Sequence, residues 1–236
     1  MNSIKYIAFD ADDTLWVNEP LFQKAEMNYR ELLSDYLTSE KVSEELYSTE
    51  KQNISLYGYG VKSFTLSMIE TALRISDYKL PQVIISEIIE LGKAILTEPV
   101  VLLDGVKDIL KELYTNYKLV VATKGDLLDQ ERKLNVSGLN DYFHHVEVMS
   151  DKQEQNYQKL LNHLEINNDE FLMVGNSLKS DIIPVVNLGA SAIHIPYHTT
   201  WQHEIIEEKE LNDIKYHKVN SIAEITEIIN MLDKKD

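Results

Sequence analysis

Five short apolar runs alternate with amphipathic stretches along most of this chain, and no other feature constrains its fold as strongly. The runs are "IKYIAF" (4–9), "KLVVAT" (118–123), "HHVEVMS" (144–150), "FLMVGN" (171–176) and "SAIHIP" (191–196). Each has the length of a strand, and the first is nearly continuous in apolar side chains, as in a strand covered on both faces. Between them, "GVKDILKELY", "DLLDQERKLN", "QEQNYQKLLNHL" and "SDIIPVVNLG" carry helical periodicity. Strands separated by helices at this spacing predict βαβ units and a doubly wound, Rossmann-like parallel sheet, an α/β fold. Pro184 is expected in the first turns of its helix, where a missing N–H costs little.

The stretch from Asn18 to Glu98 breaks the alternation, showing helical periodicity without a strand. Breaks near "TSEKVS", "YGYG" and "YKLPQ" divide it into four helices inserted after the first strand. Pro99 marks the return. The expected organisation is therefore a core of residues 1–16 and 99–236 and an all-helical insert of residues 17–98. The terminal "DKKD" is expected to fray.

In an open parallel sheet the ligand site lies outside the carboxyl ends of the strands. Applied strand by strand, that rule brings together Asp10 and Asp12 from the first, Thr123 and Lys124 from the second, and Asn176, Ser177 and Asp181 from the fourth. Lys152 follows the third. Each has an ordinary explanation alone: Asp13, Asn176 and Ser177 as turn or cap residues, Thr123 bonded to nearby backbone, Lys152 as a solvated charge. Their joint placement at strand ends favours a site. Three carboxylates, Asp10, Asp12 and Asp13, directly after a buried strand would repel one another and resist desolvation. A cation and a phosphoryl group sharing the site would relieve that repulsion, so the set fits phosphoryl transfer with Mg2+, a hard cation suited to oxygen ligands.

The 236 residues are 44% hydrophobic, enough for a large core, and the net charge of −16 disfavours nucleic acid and anionic lipid as partners. Absence of cysteine excludes disulfides, thiolate metal sites and cysteine nucleophiles. The N-terminus meets Asp10 too early for a signal-peptide core, and no stretch has the length and apolarity of a membrane span. The cytoplasm is the expected location.

"FDADDTLW" resembles the D-x-D-x-T signature of the haloacid dehalogenase superfamily, "VVATKG" its second motif, "SDKQEQNYQKLL" its third and "MVGNSLKSDI" its fourth, in order across essentially the whole chain. The insert is similar in position and helical character to the family's C1 cap. The resemblance implies that Asp10 is the nucleophile forming an aspartyl-phosphate and that Asp12 protonates the leaving oxygen and then activates water. Thr123 would bind phosphoryl oxygens, with Lys124 and Gly125 beside it as substrate contacts, and Lys152 would steady the negative charge. Asp10, the Asp12 carbonyl, Asn176 and Asp181 would hold Mg2+. As an acid, Asp12 is expected to have a raised pKa.

Three departures stand out: Asn176 where Asp is common, Asp13 where Gly is common, and Gln153 where proline usually follows the lysine. The amide removes one negative charge, so Mg2+ is expected to bind more weakly. Aspartate tolerates a left-handed backbone, so the first turn is expected to survive. "YGYG" lacks the third glycine of a dinucleotide fingerprint and a preceding strand; it reads as a turn. In this family's caps such a turn can approach the crevice, which nominates Tyr57 and Tyr59 as substrate contacts, with ordinary helix packing as the alternative. His194, His198 and His203 lack a zinc-ligand spacing and read as loop and surface residues.

The expected function is a Mg2+-dependent phosphatase acting on a small phosphomonoester. A 2-haloacid dehalogenase would use the same aspartate on carbon but lacks an acid at the position of Asp12. A phosphomutase keeps both aspartates. A non-catalytic phosphate-binding regulatory protein is the reading that Asn176 leaves open.

Overall fold

The computed structural model describes residues 4–207, 211 and 214–233. Residues 234–236, most of the terminal stretch expected to fray, lie outside the described residues.

Ile7, Ala8 and Phe9 are all fully buried, yet they serve two different cores. Successive strand side chains point to opposite faces. Ile7 and Phe9 therefore join one cluster and Ala8 the other. This strand, β1 (Tyr6–Phe9), is followed by β2 (Lys118–Lys124), β3 (Phe143–Met149), β4 (Phe171–Gly175), β5 (Ser191–His194) and β6 (His217–Lys218). They form one sheet in the order β3-β2-β1-β4-β5-β6. Every pairing is parallel, with Ile7 opposite Leu119 on one side and Leu172 on the other. The five anticipated strands are present, within one or two residues of their expected limits. The short β6 was not foreseen.

The helices among the described residues are α1 (Glu19–Leu32), α2 (Ser39–Tyr57), α3 (Val61–Ile75), α4 (Gln82–Thr97), α5 (Val106–Leu113), α6 (Leu127–Ser137), α7 (Glu154–Leu164), α8 (Ile183–Asn187) and α9 (Ile225–Asp233). On one face of the sheet Val106, Ile109 and Leu110 of α5, Leu134 of α6 and Ile225 and Ile229 of α9 cover Phe9, Val121 and Val174. On the other, Tyr157, Leu160 and Leu161 of α7 and Val185 of α8 cover Ala8, Val120 and Met173. Pro184 lies in the first turn of α8, directly after a π-helical turn at Leu178–Ile182.

The described residues of Met1–Val17, Val100–Lys124 and Gln130–Asp236 form one compact unit, and Asn18–Pro99 with Gly125–Asp129 form a second. The second unit has its own core, with Tyr29, Leu33, Val42, Leu46, Met68 and Ile88 buried. The buried Tyr29 hydroxyl is not left unpaired; it donates to the Met68 carbonyl at 2.8 Å. Thr38 caps α2 by accepting from the Lys41 amide at 3.4 Å, and Gly58, at φ 74°, ends it. Within this unit the Asp126 carboxylate accepts from the Lys62 amide at 3.1 Å and pairs with the Lys62 ammonium at 3.2 Å. No helix among the described residues is long and apolar enough to cross a membrane.

His194 corrects one expectation. It is a buried strand residue of β5, its Nε2 3.0 Å from the Asn176 carbonyl, and burial lowers its pKa. "SAIHIP" is a strand whose inward positions include the histidine, so its neighbours in the following loop were a poor guide to it.

Candidate active site

β1 runs directly into the acidic cluster. The Asp10 amide extends the ladder by donating to the Val174 carbonyl at 2.9 Å. The chain then turns back, with the Leu15 amide donating to the Ala11 carbonyl at 2.8 Å. Asp13 adopts φ 60° in that turn, so the left-handed conformation usually given to glycine is met by aspartate.

The polar strand ends meet. The Lys152 ammonium lies between Asp10 and Asp181, bonded to Asp10 Oδ1 and, at 2.7 Å, to Asp181 Oδ1. Its side chain is 1% exposed, so a full charge has been buried against these carboxylates. Gln153, in the place of the usual proline, forms a capping box with Asn156 and starts α7 directly after the lysine. Asp181 sits on the π-helical turn, a conformation frequent at functional sites. Its Oδ2 accepts from the Ser177 amide at 2.9 Å. This approach requires Gly175, where any Cβ would overlap the Asp181 carboxylate. The Thr14 hydroxyl lies 3.2 Å from Asp10 Oδ2 and 3.3 Å from Asn176 Oδ1, which places that amide oxygen on the Asp10 side of the site. Thr123, at the end of β2, is buried.

Burial raises the pKa of Asp10, and the Asp181 and Asp12 charges add to the rise while Lys152 opposes it. Burial works against the Lys152 ammonium too, but Asp10 and Asp181 outweigh it and hold its pKa well above the ordinary value. Asp12 overturns an expectation. Burial raises its pKa, yet the Lys133 charge and hydrogen bonds from Lys133, Gln130 and Trp16 prevail, and the net shift is downward. The free protein holds Asp12 as a carboxylate because a buried lysine faces it.

Lys124 is drawn into a separate knot. Its ammonium pairs with Glu204 and lies 3.0 Å from Ser180 Oγ. Glu204 also accepts from Ser177 Oγ and, at 2.7 Å, from Ser180 Oγ. Gly125 has φ 131° and groups with the helical unit. Tyr57 ends α2 and is exposed; Tyr59 lies in the turn before α3.

Thr14, Gln130, Lys133 and Glu204 were not singled out from the sequence. Gln130 and Lys133 stand three apart on α6, one face of a helix that directly follows a strand-end motif, and that spacing was a usable signal. Glu204 lies in the segment after β5, to which the strand-end rule also applies.

The family model for haloacid dehalogenase-like hydrolases matches residues 4–189 of this chain. The chain belongs to that family. A haloacid dehalogenase-like hydrolase from Xanthomonas campestris shares 34% identity and superimposes with a TM-score of 0.87, covering 98% of this chain and 92% of that one. N-acylneuraminate-9-phosphatase of Homo sapiens is 26% identical over 152 residues, 61% of this chain and 58% of the phosphatase. The match thus spans less than two thirds of that relative's length. A 2-haloacid dehalogenase from Pseudomonas syringae shares the hydrolase fold at 18% identity and a TM-score of 0.64, covering 97% of this chain and 99% of that one. A fold common to such proteins does not choose between cleavage at phosphorus and at carbon; the side chains of the site must.

Proposed function

We propose that this hydrolase is a cytoplasmic, Mg2+-dependent phosphatase that cleaves a small-molecule phosphomonoester through an aspartyl-phosphate. The observation that carries the reading is Asp12. A carboxylate able to move a proton stands two residues after the buried Asp10, where the dehalogenase branch lacks an acid.

Asp10 attacks phosphorus and the bond to the leaving oxygen breaks, with Asp12 giving that oxygen a proton. Oδ2 is the more loosely held Asp10 oxygen, since its bond to Thr14 is long at 3.2 Å while Lys152 grips Oδ1. Asp12 then takes a proton from water as the water oxygen attacks phosphorus, and the Asp10–phosphorus bond breaks to release inorganic phosphate. Arrival of a phosphate dianion beside Asp12 raises its proton affinity, which reconciles an acid role with its ionised resting state. Thr123 and Lys152 offset charge on the transferring group. The helical unit serves as a C1-type cap that excludes water and reads the leaving group, with Tyr57 and Tyr59 as candidate contacts and Gly125 bordering the substrate.

The donor set fits Mg2+. Among the described residues no three acidic, histidine or cysteine side chains converge as a metal cage. However, Mg2+ typically takes one or two carboxylates and keeps waters or phosphate oxygens for the rest. Asp10 and Asp181 are such a pair, and Lys152 neutralises only one of their two charges. They, the Asn176 amide oxygen and the Asp12 carbonyl would hold the ion. When bound, Mg2+ supplies positive charge to the phosphoryl oxygens.

Hydrolysis of an aryl phosphate by the wild type and by Asp10→Asn, each with Mg2+ and with chelator, tests this reading. Turnover that needs both Asp10 and Mg2+ is expected. Halide release from a 2-haloacid with no phosphate release would overturn it.

A further inference from the structure

Asp12 does not rest against Asp10 and Lys152 but in a cradle of its own. Its Oδ1 accepts from the Trp16 indole N–H at 2.7 Å and from the Lys133 ammonium at 2.9 Å, and its Oδ2 accepts from the Gln130 amide at 2.8 Å. Three donors on one carboxylate leave it little freedom to rotate, and all three must yield before it can swing. Gln130 and Lys133 are buried, so water does not replace these bonds cheaply. The same Gln130 nitrogen donates to the Lys124 carbonyl at 3.1 Å, which ties Asp12 to the residue after Thr123.

Gln130 carries a sign that this arrangement is not a result of packing alone. Its Oε1 is buried with no hydrogen-bond partner in the protein. A buried acceptor left in that state has lost its bonds to water and gained none in return. An apolar side chain of similar size would fill the space without that cost, but only the amide nitrogen can hold Asp12 and the Lys124 carbonyl.

We infer that Gln130 and Lys133 are positioning residues for Asp12, fixing the carboxylate that gives a proton to the leaving oxygen and later takes one from the attacking water. The inference rests on the phosphatase reading for its chemistry and on the hydrogen bonds alone for its geometry. Neither side chain touches the reacting atoms; both act through Asp12. Misplacing a proton-transfer group by about 1 Å can cost on the order of a hundredfold in rate.

The test compares kcat/KM for phosphate esters of graded leaving groups, from p-nitrophenol to simple alcohols, in the wild type, Gln130→Met and Lys133→Met. A nitrophenolate departs without a proton and an alkoxide does not. Both variants are expected to lose at least about tenfold more activity on alkyl than on aryl esters, through kcat rather than KM, with partial recovery in Lys133→Arg. Equal losses on both ester classes, or none, would overturn the inference. A second readout needs no turnover and settles the geometry if a variant is inactive or folds poorly. The Trp16 indole N–H shares the Asp12 carboxylate with Lys133, and its NMR signal, distinguished from Trp201 by Trp201→Phe, is expected to move in each folded variant. Gln130→Met removes no charged side chain and is the variant expected to retain the fold. An unmoved signal there would also overturn the inference. A wild type that cleaves no phosphate ester would instead sink the phosphatase reading, and the indole signal would still decide whether α6 holds Asp12.

Discussion

Glu204 organises more of the site than any other residue not named in the motifs. It gathers the Lys124 ammonium and the hydroxyls of Ser177 and Ser180, and so braces the end of β2 against the turn that carries Asp181. Burial favours its neutral form, but the Lys124 charge and the bonds from Lys124, Ser177 and Ser180 prevail and bring its pKa from 4.5 down to about 2. A carboxyl whose folded pKa lies below its unfolded one adds stability that is present above the unfolded value and is lost as pH falls toward the folded one. Glu204→Gln, which removes the carboxylate paired with the half-buried Lys124, is expected to cost about 1–3 kcal/mol at neutral pH in urea unfolding. The difference from the wild type should narrow between pH 4.5 and about 2. A gap that does not change with pH would contradict the ion pair. At this scale Asp10, Lys152 and Asp181 were legible because strand-end position and residue type pointed the same way. Glu204, Gln130 and Lys133 were harder to read, since they lie within a helix or well beyond a strand and not at a strand end, and only the three-residue spacing on α6 pointed to the last two.

Among the elements, the turn after β4 shows how backbone geometry serves the site. Gly175 has no side chain to separate β4 from Asp181, and the π-helical turn then lifts that carboxylate beside Lys152. Gly175→Ala is expected to displace Asp181 and to weaken Mg2+ binding by about ten- to a hundredfold in a metal titration. Unchanged affinity would remove Asp181 from the proposed donor set. In the helical unit, Gly92 of α4 lies against Thr65 of α3, and a Cβ there would overlap the threonine hydroxyl and crowd its Cγ2 and Cβ. Gly92→Ala is expected to destabilise the protein by about 1–3 kcal/mol, and Thr65→Ala in the same chain to return part of the loss, as read by the unfolding midpoint. A Gly92→Ala variant as stable as the wild type would mean that the two helices part freely. The long strands and helices were legible in their hydrophobic periods. β6 was not, because its two residues, His217 and Lys218, have no apolar pattern and are strand only through pairing with Ile193 and His194. The π-helical turn was equally hidden, since "SDIIPVVNLG" reads as one helix whichever hydrogen bonds its first turn makes.

For the whole molecule, the sheet unit pairs carboxylates with buried lysines twice over, the buried Asp10 and Asp181 with Lys152 and the partly exposed Asp12 with Lys133. The chain carries 39 acidic against 23 basic side chains, and two of its lysines are held inside this site as partners of these carboxylates. The most direct test of the account is to incubate Asp12→Asn with p-nitrophenyl phosphate and Mg2+, quench, and map phosphorylation by mass spectrometry. The good leaving group departs without an acid, while the missing base stalls hydrolysis of the intermediate. Phosphate should accumulate on the peptide carrying Asp10, and none should appear there in Asp10→Asn. Near-normal turnover in Asp12→Asn with no phosphate on Asp10 would contradict the account.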